Sequence, residues 1–173
     1  MAFFDTLERR AGALAGHVAL AEGDDPRVIE ASFELVRKNL CRGTIVCPEN
    51  LRTDDHVKLE AEGVHVVDPA TDDRRHALAE ILFERRKHKG LDFQNALQAL
   101  DDPLYFVSLL VAAGEADGSI GGAVRTTADT VRAALHAIGA APGLRTVSSA
   151  FVMVHLDTSW GDEGIMVFSD CAV

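Results

Sequence analysis

Apolar residues recur along this 173-residue chain at two spacings, which predict its helices and its strands. Apolar positions three or four residues apart predict helices over residues 3–14, 26–40, 72–89, 92–100, 103–113 and 127–138. Short, mostly apolar runs predict strands over residues 17–22, 44–47 and 64–67, with a glycine-rich strand or turn over 118–123. This alternation predicts an α/β fold with a doubly wound, mostly parallel sheet and helices on both of its faces.

Two Asp-Asp-Pro segments, at residues 24–26 and 101–103, stand where helices are expected to start. An aspartate at the N-cap accepts backbone hydrogen bonds, and proline suits the first helical position. We therefore interpret both carboxylate pairs as helix caps.

The last part of the chain has a different pattern. Residues 147–156 and 165–173 are long apolar strands, and the connection between them is too short for a parallel crossover. They predict an antiparallel pair that belongs inside a covered sheet, yet no further helix follows. We therefore expect a first α/β domain over residues 1–142, lacking its C-terminal completion, and the start of a truncated second domain over residues 143–173.

The composition excludes several functional classes. Seventeen Lys and Arg residues against 27 Asp and Glu give a net charge of −10, whereas nucleic-acid binding needs clustered cations. No apolar run is long enough for a membrane span, and no basic-then-apolar leader opens the chain. The cysteines and histidines form neither a C-x-x-C nor an H-E-x-x-H motif, so we expect no metal site. His136 and His155 are interpreted as structural, and Cys171 as an inert core thiol. These features favour a cytoplasmic protein.

Residues 84–90, Glu-Arg-Arg-Lys-His-Lys-Gly, form the only dense basic cluster of the sequence. One interpretation is structural, because cations favour the C-terminal end of a helix dipole and Gly90 would end the helix. The other is functional, because an arginine can grip a phosphate group with its planar guanidinium fork. The sequence leaves both interpretations open.

Residues 117–132 combine glycines and hydroxyl groups with a predicted helix start. The glycines would let the backbone approach a ligand closely, and free N–H groups at a helix N-terminus favour an anion. The segment matches neither the dinucleotide-binding fingerprint nor a P-loop. The structural alternative is that Thr126 or Thr127 caps the helix and that Arg132 is solvated.

The same segments resemble the phosphate acetyl/butyryl transferase family, and within it most closely the acetyltransferase branch. They occur in the family's order and are spread over nearly the whole chain. The matching segments are Leu20-Ala21-Glu22-Gly23 with Asp25 and Arg27-Val28, Arg86-Lys87-His88-Lys89-Gly90, Tyr105-Phe106, Ala116-Asp117-Gly118, Thr126-Thr127-Ala128-Asp129-Thr130-Val131-Arg132, Val147-Ser148-Ser149-Ala150-Phe151 and Ser169-Asp170-Cys171-Ala172-Val173. Together they are specific to the family.

The resemblance implies two α/β domains, similar to those of isocitrate and isopropylmalate dehydrogenases, with an active site in the cleft between them. It implies an acyltransferase of acetate metabolism that converts acetyl-CoA and phosphate into coenzyme A and acetyl phosphate, and the reverse. It also implies that this chain is the N-terminal half, that the catalytic groups lie in the other half, and that the fragment alone is inactive. Coenzyme A is a substrate, no further cofactor is implied, and the complete enzyme is expected to be a homodimer.

The resemblance also implies roles for particular residues. Arg86 and Arg132 match family arginines that bind substrate, and Thr127 and Thr130 match hydroxyl positions that line the same cleft. Arg125 stands where the family usually has histidine, and it adds a positive charge beside the expected phosphate site.

Two further positions depart from the family pattern, since Ala133 replaces a usual proline and Phe83 a usual tyrosine. One alternative within the family is a phosphate butyryltransferase or another acyl-CoA:phosphate acyltransferase. A related alternative is the transferase-like appendage of a malic enzyme. An alternative of another class is a non-catalytic fragment or an interaction module.

Overall fold

The computed structural model describes residues 2–144 and 146–170. The α-helices of this part are α1 (Ala2–Leu14), α2 (Pro26–Arg37), α3 (Asp54–Ala61), α4 (Arg75–Arg86), α5 (Phe93–Ala99), α6 (Pro103–Ala112) and α7 (Thr127–Ala137). Its strands are β1 (His17–Leu20), β2 (Arg42–Val46), β3 (His65–Val67), β4 (Gly118–Ile120), β5 (Ala150–Val154) and β6 (Ile165–Ser169).

The first four strands form one parallel sheet in the order β3–β2–β1–β4. β1 lies between β2 and β4, with Val18 opposite Gly43 on one side and Gly118 on the other. The chain therefore adds strands in one direction from β1 to β3 and then returns to add β4 at the other edge. Ligands of open α/β sheets bind at such a reversal, beyond the carboxyl ends of the strands.

Helices cover both faces of this sheet, which confirms the predicted architecture. Leu20 and Ile45 pack in one apolar cluster with residues of α2 and α3. Their neighbours Ala19 and Val46 pack in a second, larger cluster with residues of α4, α5, α6 and α7. Because successive strand residues point to opposite faces, β1 and β2 are buried on both sides, and their sequences are correspondingly apolar.

α6 is the central helix of the larger cluster. Its sequence is apolar almost all round, and the side chains of Phe106 and Leu109 are fully buried. Burying a side chain of this size is worth about 1.5–3 kcal/mol. α6 packs against β1, β4, α4 and α7, so it fixes the positions of the two helices that carry candidate site residues.

Both Asp-Asp-Pro segments start helices, as predicted. Asp25 is the N-cap of α2, and its carboxylate accepts a hydrogen bond from the backbone N–H of Arg27 at 2.8 Å. Asp102 is the N-cap of α6 and accepts a hydrogen bond from the N–H of Leu104 at 3.0 Å.

The sequence does not predict α3, because only His56 and Leu59 among its residues are buried and the apolar spacing is too sparse. Thr53 and His56 cap this helix at its N-terminus. The His56 ring is held on both sides: Nδ1 accepts from the N–H of Thr53 at 3.0 Å, and Nε2–H donates to the Gly23 carbonyl at 2.8 Å.

α4 is shorter than the predicted helix over residues 72–89. Before it, the carboxylate of Asp72 accepts a hydrogen bond from the N–H of Arg74 at 2.9 Å and forms a turn. After Arg86 the chain tightens into a 3-10 turn, Lys87–Lys89, which Gly90 ends at a φ of 86°. Left-handed backbone of this kind favours glycine, so Gly90 has the terminating role that the structural interpretation predicts.

β5 and β6 form a separate antiparallel pair, as predicted, with Val152 opposite Val167. The strands are shorter than expected, and within the described ranges neither pairs with the parallel sheet. Phe151 and Val152 point to opposite faces of the pair, and each is 52% exposed, so both faces are open. Cys171, interpreted as a core thiol, lies outside the described residues.

Candidate active site

α4, α6 and α7 pack against one another. The C-terminal end of α4 lies beside the C-terminal end of α7 and the first turn of α6, whereas the loop between β4 and α7, which leads into the first turns of α7, lies beside the N-terminal end of α6. The five candidate residues from the sequence all lie on these parts: Arg86, Arg125, Thr127, Thr130 and Arg132.

Glu22 holds the loop after β4 in place. It follows β1 in a left-handed conformation, with a φ of 57°, and is only 5% exposed. Its carboxylate accepts four backbone hydrogen bonds, at 2.7–3.1 Å, from the N–H groups of residues 122–125. Burial opposes ionisation of this carboxyl group, but the hydrogen bonds from Arg125, Ala123, Val124 and Gly122 outweigh it and lower its pKa. Glu22 therefore remains an anion bound by the protein's own backbone.

This contact changes the interpretation of the glycine-rich segment. The sequence predicts that the glycines let the backbone approach a ligand closely, whereas the N–H groups of residues 122–125 bind Glu22. The loop lies beyond β4, next to β1, where the sheet reverses direction. The reversal point is thus closed by an internal carboxylate, and a ligand would meet the side chains of the loop and of α7. Glu22 and this loop are about 100 residues apart, so no local sequence pattern predicts the contact.

Arg125 connects the loop to α6. Its guanidinium lies 3.5 Å from the Asp102 carboxylate, and its side chain is 46% exposed. Its backbone N–H is one of the four that bind Glu22, at 2.7 Å. Arg125 is therefore fixed at its backbone and accessible at its charged end.

The threonines at the start of α7 have separate roles. Thr126 is the N-cap, since its side chain accepts a hydrogen bond from the N–H of Asp129 at 3.2 Å. Thr130 donates its hydroxyl hydrogen to the Thr126 carbonyl at 3.1 Å. Thr127 is the first residue of the helix and is exposed. The structural alternative for Thr126 is therefore correct, and the Thr127 hydroxyl remains accessible.

Arg132 lies about one turn further along α7. It forms an ion pair with Asp129 at 2.7 Å, and its side chain is 56% exposed. Hydrogen bonds from Thr126 and Arg132 lower the pKa of Asp129, so the pair is charged. The guanidinium of Arg132 therefore lies at the surface with one carboxylate partner.

The basic cluster at the end of α4 divides into two sets. Arg85 donates to the Ile138 carbonyl at 2.7 Å and so caps the C-terminal end of α7. Lys87 pairs with Glu84 at 2.5 Å on the surface. Arg86 and Lys89 instead line a cavity, and the guanidinium of Arg86 makes no hydrogen bond or ion pair with the described residues. The structural interpretation thus holds for part of the cluster and leaves Arg86 as a half-buried cation without a partner.

This cavity has a volume of about 250 Å³. Its wall contains apolar residues of α4 and α5 together with four polar or charged side chains. The lining residues are Leu82, Arg86, Lys89, Gly90, Leu91, Ala99, Tyr105 and His136.

Tyr105 and His136 form a hydrogen bond in the cavity wall, with 2.7 Å between Oη and Nδ1. Burial, followed by the positive charges of Arg86 and Arg132, lowers the pKa of His136. Burial raises the pKa of Tyr105, while Arg132 and Arg86 act in the opposite direction. Both arginines therefore lie near this pair, in one region of the molecule. Residues 31 positions apart carry no local signal of contact, so the sequence predicts a structural role for His136 and no role for Tyr105.

The described part of the chain offers no metal centre. None of its groups of three or more His, Cys, Asp or Glu side chains is arranged to hold a metal ion. Burial raises the pKa of the Cys47 thiol to about 11, so this cysteine is an unreactive core residue. No described helix is long and apolar enough to cross a membrane.

The chain is similar to several proteins named phosphate acetyltransferase. That of Paracoccus denitrificans is 38% identical, and the match covers 98% of this chain and 50% of the relative. That of Acetivibrio thermocellus is 34% identical, with 100% of this chain and 52% of the relative covered. The chain thus spans about half the length of the curated relatives it matches.

Solved structures agree with this similarity. The EutD phosphotransacetylase from Staphylococcus aureus matches with a TM-score of 0.83 and 30% identity, over 99% of this chain and 51% of that one. A phosphotransacetylase from Streptococcus pyogenes matches with a TM-score of 0.85 and 29% identity over the same shares. The profile of the family described as phosphate acetyl/butaryl transferase matches residues 2–173. The chain therefore belongs to the phosphate acetyl/butaryl transferase family.

Proposed function

We propose that this chain is part of a phosphate acetyltransferase, which transfers an acetyl group between coenzyme A and inorganic phosphate. The observation that carries the proposal is Arg86, a half-buried cation that lines a cavity without a partner among the described residues. Arg132 lies in the same region. Relatives named phosphate acetyltransferase at 34–38% identity support acetyl as the transferred group.

The proposed reaction needs cations at the site. A phosphate oxygen attacks the thioester carbonyl carbon, the C–S bond breaks, and the departing thiolate takes up a proton to give coenzyme A. Both substrates are anions, so the site must neutralise their charge and hold the phosphate against the carbonyl. Arginine suits this role because it stays protonated and grips two oxygens at once. We assign phosphate binding to Arg86 and Arg132.

The remaining candidates surround the same region. Arg125 adds a positive charge at the loop, and the hydroxyl groups of Thr127 and Thr130 lie at the start of α7. The ion pairs of Arg125 and Arg132 are exposed, and exposed pairs contribute only about 0–1 kcal/mol. A multiply charged phosphate can therefore compete for both guanidinium groups.

We also propose that residues 1–142 form one α/β domain and that residues 143–173 begin a second. The separate β5–β6 sheet and its open faces support this division. The groups that polarise the thioester and handle the thiol proton are proposed to lie outside this chain, in the remaining length of a complete enzyme. That enzyme is proposed to be a cytoplasmic homodimer that uses acetyl-CoA, phosphate and acetyl phosphate, with no other cofactor.

A hybrid enzyme tests the proposal. Residues 1–173 replace the matching stretch of the Paracoccus denitrificans enzyme, and formation of acetyl phosphate from acetyl-CoA and phosphate is measured. We expect an active hybrid, whereas residues 1–173 alone form no acetyl phosphate. In the hybrid, Arg86→Ala and Arg132→Ala should each lower kcat/KM by about 10- to 100-fold, the scale of charge-assisted hydrogen bonds.

Arg10→Ala is the matched control, because Arg10 is an exposed arginine of α1, far along the chain from the cavity. It should stay within about twofold of the unmodified hybrid, as surface substitutions usually do. A folded hybrid without transferase activity would contradict the proposal, as would arginine variants indistinguishable from Arg10→Ala. Faster turnover of butyryl-CoA than of acetyl-CoA would redirect the assignment to the butyryl branch.

A further inference from the structure

The cavity beside Arg86 is also lined by two hydrogen-bonded polar side chains, those of Tyr105 and His136, which have no role in the proposed function. Tyr105, in the first turn of α6, and His136, near the end of α7, are joined by a 2.7 Å hydrogen bond. Both side chains line the cavity, as do Arg86 and Lys89. A histidine held in one orientation beside two cations is a suitable donor to an anion.

The hydrogen bond determines which ring nitrogen of His136 is free. The phenol is the stronger acid and the imidazole nitrogen the stronger base, which favours the tautomer in which the hydroxyl of Tyr105 donates to Nδ1. Nε2 then carries the hydrogen, and no described residue accepts it through a hydrogen bond. Burial raises the pKa of Tyr105, which keeps the donor protonated. His136 therefore presents an unused N–H group at the cavity wall.

The charges around His136 favour an anionic ligand. Arg86 and Lys89 come from the end of α4, and Arg132 comes from α7 itself. Asp102, the carboxylate whose charge acts on Tyr105, is paired with Arg125, and Asp129 of α7 is paired with Arg132. Burial and the positive charges of Arg86 and Arg132 lower the pKa of His136. The cavity therefore combines excess positive charge with a neutral N–H donor.

A larger depression, of about 590 Å³, is lined by residues of β1, β2 and β3 together with Asp72, Asp73, Arg74 and Glu115. One of its two arginines, Arg74, is held by Asp72 and Glu115 at 2.7 Å each. One of its two histidines, His17, uses both ring nitrogens, on Glu115 O at 2.6 Å and on the Thr44 hydroxyl at 2.9 Å. Arg74 and His17 are therefore already paired. Arg42 and His65 also line this depression and make no side-chain hydrogen bond or ion pair with the described residues, but neither is oriented by a neighbour as Tyr105 orients His136.

We propose that His136, oriented by Tyr105, is a phosphate-binding residue whose Nε2–H donates to a phosphate group gripped by Arg86. Tyr105 is the positioning residue. The inference rests on the proposed function only for the choice of phosphate as the anion. The phosphate group is that of inorganic phosphate or acetyl phosphate, or one of the phosphates of coenzyme A.

The experiment follows the imidazole signals of the 173-residue chain by NMR during a titration with inorganic phosphate. A parallel titration uses adenosine 3′,5′-bisphosphate, the phosphate-bearing end of coenzyme A. We expect saturable shifts of the His136 signals, and a rise of the His136 pKa on binding, because a nearby anion favours the protonated ring. His155, exposed just after β5 and not part of either cavity wall, is the internal control and should not respond. The ligand that shifts the His136 signals at the lower concentration identifies the source of the phosphate group.

Three variants separate binding from folding. Tyr105→Phe should weaken binding by about 3- to 10-fold, because the ring loses the hydrogen bond that orients it. His136→Ala should weaken it by about 10-fold or more. His136→Gln keeps an N–H donor but cannot titrate, so it should retain most of the affinity at neutral pH. It should also lose the tightening that the wild-type chain shows as the pH falls. The same titrations are repeated with sulfate, which remains a dianion as the pH falls. Tightening of sulfate binding on acidification therefore reports protonation of His136 and not protonation of phosphate.

The proposal is overturned if neither ligand binds, if binding leaves the His136 signals unchanged, or if Tyr105→Phe binds as well as the wild-type chain. These results are independent of transferase activity. Binding at His136 together with an inactive hybrid enzyme would leave this inference standing and remove only the proposed function. An active hybrid whose phosphate affinity is unchanged by His136→Ala would contradict this inference and leave the proposed function standing.

Discussion

Glu22 is the residue on which the geometry of the candidate site depends most. One buried carboxylate holds four successive backbone N–H groups, and the loop that contains them leads directly into α7. The positions of Arg125 and of the first turn of α7 therefore depend on its charge. Glu22→Gln tests this dependence, because an amide has only one acceptor oxygen and also places N–H donors against N–H donors.

We expect Glu22→Gln to lower the free energy of unfolding by about 2–3 kcal/mol at pH 7, the scale of hydrogen bonds to a charged group. The pKa of Glu22 is lowered in the folded protein. Its ionised form therefore contributes stability above the unfolded pKa of about 4.3, and this contribution is lost as the pH falls through the folded pKa. Urea unfolding at pH 7 and at lower pH should show the gap between the variant and the wild-type chain closing on acidification.

Glu62→Gln is the control for this measurement, because Glu62 is an exposed carboxylate just after α3. It should change the stability by less than about 0.5 kcal/mol. Equal stability of the Glu22 and Glu62 variants at pH 7 would show that the loop does not depend on the buried carboxylate.

Arg125 permits a second test at the scale of one residue. Its guanidinium is accessible and permanently charged, whereas histidine is mostly neutral near pH 7. Arg125→His should therefore make phosphate binding to the chain less sensitive to salt, since one fewer full charge attracts the anion. Titrations at several KCl concentrations measure the slope. A slope equal to that of the wild-type chain would place Arg125 outside the phosphate site.

At the scale of elements, the end of α4 shows how one segment serves structure and chemistry together. Arg85 caps α7 and Lys87 pairs with Glu84, while Arg86 turns into the cavity. The alternation follows from helical geometry, since consecutive residues on a helix point about 100° apart. A cluster of like charges can therefore divide its members between the surface, a neighbouring helix and a site.

Gly90 sets the direction in which the chain leaves this segment. A Cβ added there would meet no atom within 4 Å, so any cost of Gly90→Ala comes from its φ of 86° alone. We expect a loss of about 1–2 kcal/mol in the free energy of unfolding, the cost of left-handed backbone for a residue with a Cβ. Gly118→Ala is the matched control, because its Cβ would also lie in open space but its φ is not positive. Thermal or urea unfolding that finds the two variants equally stable would contradict this account.

At the scale of the whole molecule, the chain combines a well-packed sheet-and-helix body with an uncovered strand pair. Val152 and Val167 are opposite each other in the β5–β6 pair, and they are 52% and 66% exposed. Apolar surface of this extent favours association with another surface. In a complete transferase we propose that the second domain provides that surface.

We therefore expect residues 1–173 to self-associate as the concentration rises, and a chain ending at residue 142 to remain monomeric and fold cooperatively. Replacing Val152 and Val167 together by threonine should also weaken association, because threonine keeps the shape and strand preference of valine but adds a hydroxyl group. Analytical ultracentrifugation measures all three chains. A monomeric 173-residue chain at every concentration, or an unfolded 1–142 chain, would contradict the proposed division into domains.

The sequence by itself determined the order of most elements and the character of the sheet. Helix starts at Asp25 and Asp102, the apolar strands β1 and β2, and the antiparallel β5–β6 pair all follow from local signals, since capping, spacing and loop length act within a few residues. α3 was not predicted because its buried positions are too few to form a visible period. For the candidate site, the sequence named the segments but not the contacts within them.

Only the tertiary structure decided what those segments bind. Glu22 and the loop of residues 122–125 are about 100 positions apart, and Tyr105 and His136 are 31 apart. No local pattern marks either pair, because each contact exists only once α6 and the sheet have brought distant parts of the chain together. The same packing places Arg85 against the Ile138 carbonyl and Arg86 in the cavity wall. The sequence shows only two adjacent arginines and cannot distinguish these two environments. Local physics thus specified the elements, and burial of their apolar faces against each other specified the site.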